Sequence, residues 1–118
     1  MYINMLKGKL HRVMVTKSDL NYPGSIGIDQ ELLDVSGIRE FEAVNVWNIN
    51  NGARLTTYAI SSPRGSGEIC LNGAAARYAQ VGDIIIVAAF CMMTEEEAEQ
   101  HTPRVVTVGE RNEIATLV

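Results

Sequence analysis

The feature that most constrains this chain is the stretch 43–60. AVNVWNI (43–49) and RLTTYAI (54–60) flank a link containing Asn51-Gly52. Val, Ile, Thr, Trp and Tyr suit a pleated surface, and Asn-Gly readily takes the positive φ that reverses a chain. The stretch therefore predicts a tight β-hairpin. Further strands are expected at Met5–Thr16, Ser25–Ile28, Glu68–Leu71, Ile84–Met92, Arg104–Val108 and Ile114–Val118. Turn chemistry separates them at Asn21–Gly24, Pro63–Gly67 and Val81–Asp83. Three short helices are expected. Asp29 would cap Gln30–Val35, which Gly37 stops; a second would start at Asn72; Thr94 and Glu97 form a capping box for a third. Many short strands and few helices predict a β-barrel decorated with helices.

A chain of 118 residues suits one compact domain. Its net charge of −4, with no basic cluster, argues against a nucleic-acid partner. The longest apolar run, Ile84–Met93, is too short to cross a bilayer, and MYINMLKGKLHR lacks the apolar core of a secretion signal. A cytoplasmic protein is expected. Cys70 and Cys91 have no zinc or redox spacing, so they are expected as buried free thiols, with no metal.

Several residues could carry chemistry. Ser25 follows Gly24 in NYPGSIG. A serine hydroxyl forced onto the preceding carbonyl can convert that amide to an ester, and a residue without Cβ eases the approach. Arg54 and Tyr58, four apart on a strand, face one side, and Thr57 faces the other. Arg54 offers a fork for a carboxylate and Tyr58 a phenol that exchanges protons. Lys7, Lys9 and His11 share one strand parity. Asn72-Gly73-Ala74-Ala75 reads as a helix cap or as backbone N–H groups offered to an anion. Each also has a plain structural reading: a common turn, a solvated strand face, a basic strand edge, an ordinary cap.

Taken together, MLKGKLHRVMVT, NYPGSIGID, WNINNGARLTTYAI, GEICLNGAAAR and VGDIIIVAAF closely resemble, in order and over nearly the whole chain, the aspartate 1-decarboxylase family. The resemblance implies a mainly β fold, a six-stranded double-psi β-barrel with a few short helices, in a homotetramer with active sites between subunits. It implies self-cleavage into residues 1–24 and 25–118, with Ser25 becoming a covalently bound pyruvoyl group. That group forms a Schiff base with L-aspartate, and the β-alanine made feeds pantothenate and coenzyme A synthesis. No metal and no pyridoxal phosphate is implied; a maturation factor is a further conceivable partner.

Carried over residue by residue, the resemblance makes Ser25 and Tyr58 catalytic, Tyr58 as the proton donor. Gly24, Ser25 and Thr57 serve self-processing. Lys9, Arg54, Thr57, Gly73, Ala74 and Ala75 bind substrate, with Arg54 on the carboxylate that stays. His11, Tyr22, Trp47 and Asn72 support the pocket or the cleavage. Pro23 departs from the family's pattern, which leads one to expect an acidic or β-branched residue before Gly24. The runner-up is an unprocessed, inactive barrel acting as a binding or assembly module. A serine hydrolase built on Ser25 and His11 is a poor third, because no Gly-x-Ser-x-Gly elbow and no third triad member is present.

Overall fold

The computed structural model describes residues 1–117; Val118, the end of the expected last strand, lies outside the described residues. The chain runs β1 (Tyr2–Met14), β2 (Lys17–Asp19), β3 (Ser25–Asp29), α1 (Gln30–Ser36), β4 (Ala43–Asn48), β5 (Arg54–Ser62) and β6 (Ile69–Asn72). A 3₁₀ helix (Gly73–Tyr78), β7 (Ile84–Thr94), α2 (Glu95–Gln100), β8 (Arg104–Val108) and β9 (Ile114–Leu117) follow. The fold is mainly β, with three short helices, and is compatible with a β-barrel. Its hydrogen-bonded order is β2-β6-β3-β5-β4-β7-β1-β8-β9. Three of those neighbours are parallel, β1/β8, β2/β6 and β3/β5, and the others antiparallel. Parallel pairs cannot come from hairpins, so the chain crosses over itself repeatedly.

The core gathers where inward-facing positions of these strands meet. Leu10, Val13, Ile26, Ile28, Val44, Val46, Leu71, Ile85 and Val87 are all buried, joined by Leu32 and Leu33 of α1. In β4 the alternation is clean: Val44, Val46 and Asn48 point in.

The helices follow their caps. Asp29 accepts from Glu31 N–H, and Gly37, at φ 75°, closes α1 with its N–H on the Leu33 carbonyl. Thr94 and Glu97 form the capping box of α2. Asp29 also holds a loop, because its carboxylate accepts from Gly65 N–H and Gly67 N–H, each at 2.9 Å.

Two local expectations change. The hairpin is not a tight two-residue turn. Five residues, 49–53, separate β4 from β5, and Asn48 organises them by accepting from Asn50 N–H at 2.8 Å. Gly52 supplies the positive φ, at 77°. In β1, Lys7 does not share a face with Lys9 and His11. A bulge between Leu6 and Gly8 inserts Lys7 as an extra residue, and its ammonium pairs with Glu42 at 2.8 Å.

Candidate active site

Ser25 opens β3 and is 1% exposed. Antiparallel β6 sets Asn72 directly opposite. Asn72 Nδ2 donates to Ser25 Oγ at 3.0 Å, and Ser25 Oγ donates to the Pro23 carbonyl at 3.2 Å. Asn72 occupies the cap position of the 3₁₀ helix but makes no side-chain capping bond. The register turns its amide to Ser25 instead. Its Oδ1 accepts from the Cys70 thiol at 3.1 Å. Cys70 is thus more than the inert buried thiol expected from spacing, and Cys91 is only half-buried. The one sequence signal for Cys70 was its place two residues before Asn72, on the same strand face.

The steric argument moves from Gly24 to Gly73. A Cβ on Gly24 would meet nothing within 4 Å, and its φ is not positive. Gly73 has φ 63°, and a Cβ there would lie 2.8 Å from both N and Cα of Gly24 and 3.0 Å from the Tyr22 carbonyl oxygen. The glycine that must lack a side chain is therefore Gly73, which packs against the N–Cα segment of Gly24. Beyond it Ala74 is exposed and Ala75 buried. The ring of Tyr22 is half in solvent, at the mouth of a cavity of about 200 Å³ that Asn72 and Cys70 also line.

Parallel β3 and β5 bring two more residues to this corner. Ile26 stands level with Ala59. Before that pair, β5 carries Tyr58 and Thr57 and β3 begins at Ser25. Tyr58 is 38% exposed, so its phenol end is open to solvent.

A second group forms on the outer face of the sheet. Trp47 and Arg54 are partners across β4 and β5, and the guanidinium carbon lies 4.7 Å from the indole centroid. They line a groove of about 390 Å³ with Asn45, Thr56, Asn4 and Phe90, and no carboxylate lines it. The registers set Lys9, Ala88, Asn45 and Thr56 in one row, so Lys9 shares this face. β1 lies inside the sheet between β7 and β8, so Lys9 and His11 are not on an edge. His11 Nδ1 is buried without a hydrogen-bond partner among the described residues. Burial, then the charges of Lys9 and Arg12, hold the His11 pKa below its ordinary 6.5, so the ring is neutral at neutral pH.

Within one chain the two groups stand apart. Tyr58 and Arg54 are four residues apart on β5, about 13 Å at the usual strand rise. Lys9 stands on β1, which β5, β4 and β7 separate from β3 in the hydrogen-bonded order. Among the described residues no cluster of His, Cys, Asp or Glu side chains is placed to hold a metal. No helix is long and apolar enough to cross a membrane.

Nearly the whole chain, residues 1–115, is covered by one known family. That stretch matches the family model described as aspartate decarboxylase. The chain belongs to the aspartate decarboxylase family. It is 59% identical over 114 residues to the aspartate 1-decarboxylase of Ruminiclostridium cellulolyticum, covering 97% of this chain and 89% of that one. The aspartate 1-decarboxylase of Hyphomonas neptunium is 57% identical, with 97% of each chain covered. That of Carboxydothermus hydrogenoformans is 58% identical over 117 residues, covering 99% of this chain and 92% of that one. The aspartate decarboxylase family is one of carboxy-lyases.

Proposed function

We propose that this protein decarboxylates L-aspartate to β-alanine and carbon dioxide, supplying β-alanine to pantothenate synthesis in the cytoplasm, after cutting its single domain between Gly24 and Ser25. The observation that carries this reading is the setting of Ser25 Oγ: buried, held by Asn72 Nδ2, and adjacent to a glycine braced by Gly73.

The cleavage uses only this chain and water. Ser25 Oγ attacks the Gly24 carbonyl carbon, the C–N bond breaks, and the hydroxyl proton ends on the Ser25 nitrogen. Thr57, on the neighbouring strand β5, donates to the oxygen on which charge builds. A base then takes the Ser25 α-proton, the Cβ–O bond breaks, and Gly24 leaves as a carboxylate ending the 1–24 chain. Water replaces the nitrogen, ammonia departs, and residues 25–118 begin with a pyruvoyl group.

The site fits that group. The corner is nearly dry, it carries the Asn72 amide as a donor, and Gly73 leaves room for the backbone alone. Once formed beside Asn72 and Gly73, a pyruvoyl group would supply a carbonyl for the substrate amine and an electron sink for the pair released as the α-carboxylate leaves as CO2. No metal and no pyridoxal phosphate takes part. Arg54 holds the carboxylate that stays, since a strong cation on the departing one would stabilise the ground state equally. Lys9 attracts the other. Tyr58 returns a proton to carbon. Gly73, Ala74 and Ala75 form the close wall; Tyr22, Trp47 and His11 bound the pocket.

Aspartate is too short to bridge the two groups of one chain. The outer face of a neighbouring subunit therefore supplies Lys9, Arg54, Trp47 and His11 to the Ser25 corner, in a homotetramer. Tyr22 and Tyr58, exposed in the single chain, are then covered. A maturation factor is needed only if the isolated chain cuts slowly.

Denaturing mass spectrometry of the purified chain and of Ser25→Ala tests the reading. The wild type should give two fragments dividing after Gly24, the larger lighter than a serine-ended chain by one ammonia. Ser25→Ala should give only the intact 12.9 kDa mass. An intact wild-type mass that persists on warming and with cell extract would favour the uncut binding module.

A further inference from the structure

We infer that Cys70 is a positioning residue for the Gly24-Ser25 cleavage: its thiol sets which end of the Asn72 amide faces the serine hydroxyl. This rests on the self-cleavage reading above. The antiparallel register places Asn72 opposite Ser25 and Cys70 opposite Gly27. Cys70 and Asn72 are two residues apart on β6, so their side chains leave the same face of that strand. Both are buried. A Cβ at Gly27 would lie 2.8 Å from Ser62 Oγ and 3.5 Å from Cys70 Cβ, so Cys70 is closely packed on that side.

An asparagine amide has two unlike ends. Oδ1 only accepts and Nδ2 only donates. A neutral thiol has one hydrogen to give and is a poor acceptor. It therefore selects Oδ1, as found at 3.1 Å, and Nδ2 is left for Ser25 Oγ at 3.0 Å. Ser25 Oγ then accepts from Asn72, and its own hydrogen points to the Pro23 carbonyl. A reversed amide would present Oδ1 to Ser25 and take up that hydrogen. It would also draw the hydroxyl away from the Pro23-Gly24 segment and leave Nδ2 against sulfur. Attack on the Gly24 carbonyl needs the hydroxyl on the Gly24 side and its proton free to pass to the Ser25 nitrogen. The observed amide orientation keeps the hydroxyl on the Pro23-Gly24 segment, with its hydrogen on the Pro23 carbonyl and not taken up by Asn72.

Keeping the thiol protonated is part of the arrangement. Burial, with Glu68 nearby, pushes the Cys70 pKa above its ordinary value; Lys17 opposes and Asp19 adds to the rise. The sulfur is thus a donor through the neutral range. The mechanism as proposed above makes no use of Cys70, and nothing in its spacing with Cys91 suggests a disulfide or metal role.

The test compares full-length wild type, Cys70→Ala and Cys70→Ser, produced cold and followed by denaturing mass spectrometry as the 1–24 fragment appears. Losing one buried hydrogen bond of this kind should slow cleavage about tenfold in Cys70→Ala. Cys70→Ser keeps a hydrogen for Oδ1 and should recover to within about threefold of wild type. Equal slowing in both variants would mean that packing matters and the hydrogen bond does not, and no slowing in either would also overturn the inference. Thermal melts check folding; if Cys70→Ala does not fold, Cys70→Val, apolar and better filling, replaces it. The Asn72 side-chain NH2 signals, read by NMR in the uncut Ser25→Ala chain, supply the second arm. They should shift in Cys70→Ala and return in Cys70→Ser. If the wild type never cuts, the cleavage reading fails on the mass spectrum, while these signals still decide what Cys70 does to Asn72.

Discussion

Gly73 carries the sharpest demand on a single residue. Its φ of 63° and its contact with Gly24 both exclude a side chain. Gly73→Ala should cost about 1–2 kcal/mol from the left-handed backbone alone, with more from the overlap. In a Ser25→Ala background, where the chain stays uncut, melting should fall on the order of 5 °C. Gly24→Ala in the same background should leave melting almost unchanged, because its Cβ enters open space. Equal melting of the two variants would show that Gly73 does not press on the cleavage turn in solution. At this scale the sequence was partly legible. Ser25 was singled out from its motif, but the residue needing to be glycine was placed at 24 when the strain lies at 73. The reason is that strain here comes from the approach of two distant segments, which local order does not reveal.

Among the elements, the turn into β7 is tied to the end of β4 by one asparagine and one aspartate. Asn48 Nδ2 donates to Asp83 Oδ2 at 2.9 Å and to the Tyr78 carbonyl at 3.1 Å. Gln80 N–H donates to the same Asp83 oxygen at 2.9 Å. The Gln80 N–H, then the Asn48 amide, hold the Asp83 carboxyl below its ordinary 3.8, against a smaller opposing effect of burial. A carboxyl depressed in the folded state stabilises the fold above its unfolded value, and that stabilisation disappears as pH falls through the folded value. Melting temperature should therefore drop more steeply below about pH 4 in wild type than in Asp83→Asn. Parallel curves would remove Asp83 from the acid response. Asn51-Gly52 announced a reversal, but the loop has five residues because Asn48, read as an ordinary strand position, captures the backbone of the turn.

For the whole molecule, the spread of the two residue groups is the deciding fact. Lys9, Trp47 and Arg54 share one outer face, and Ser25 lies buried at a corner three intervening strands from β1. If a neighbouring subunit completes each site, hybrids assembled from Ser25→Ala and Arg54→Ala chains should regain aspartate decarboxylation that neither variant has alone. Each hybrid carries some interfaces where an intact Ser25 corner meets an intact Arg54 face. Hybrids verified by native mass spectrometry yet inactive would place both groups of a working site in one chain.

The order of the strands other than β2, the caps of α1 and α2 and the turn before Ser25 were readable from residue order, because each depends on neighbours a few positions away. Periodicity gives the face of a strand, and a cap needs only three or four residues. Which strands lie side by side was not readable. The parallel pairing of β3 with β5 and the antiparallel pairing of β3 with β6 decide that Ser25 meets Asn72, that Gly73 meets Gly24, and that Cys70 has an amide to hold. The bulge at Lys7 belongs with them, since pairing with β7 puts it there. The contacts around Ser25 join segments up to 49 residues apart, as from 24 to 73, and the bulge depends on the pairing of Leu6 with Phe90, 84 residues apart. Only the pairing of strands across the sheet sets the registers that create them.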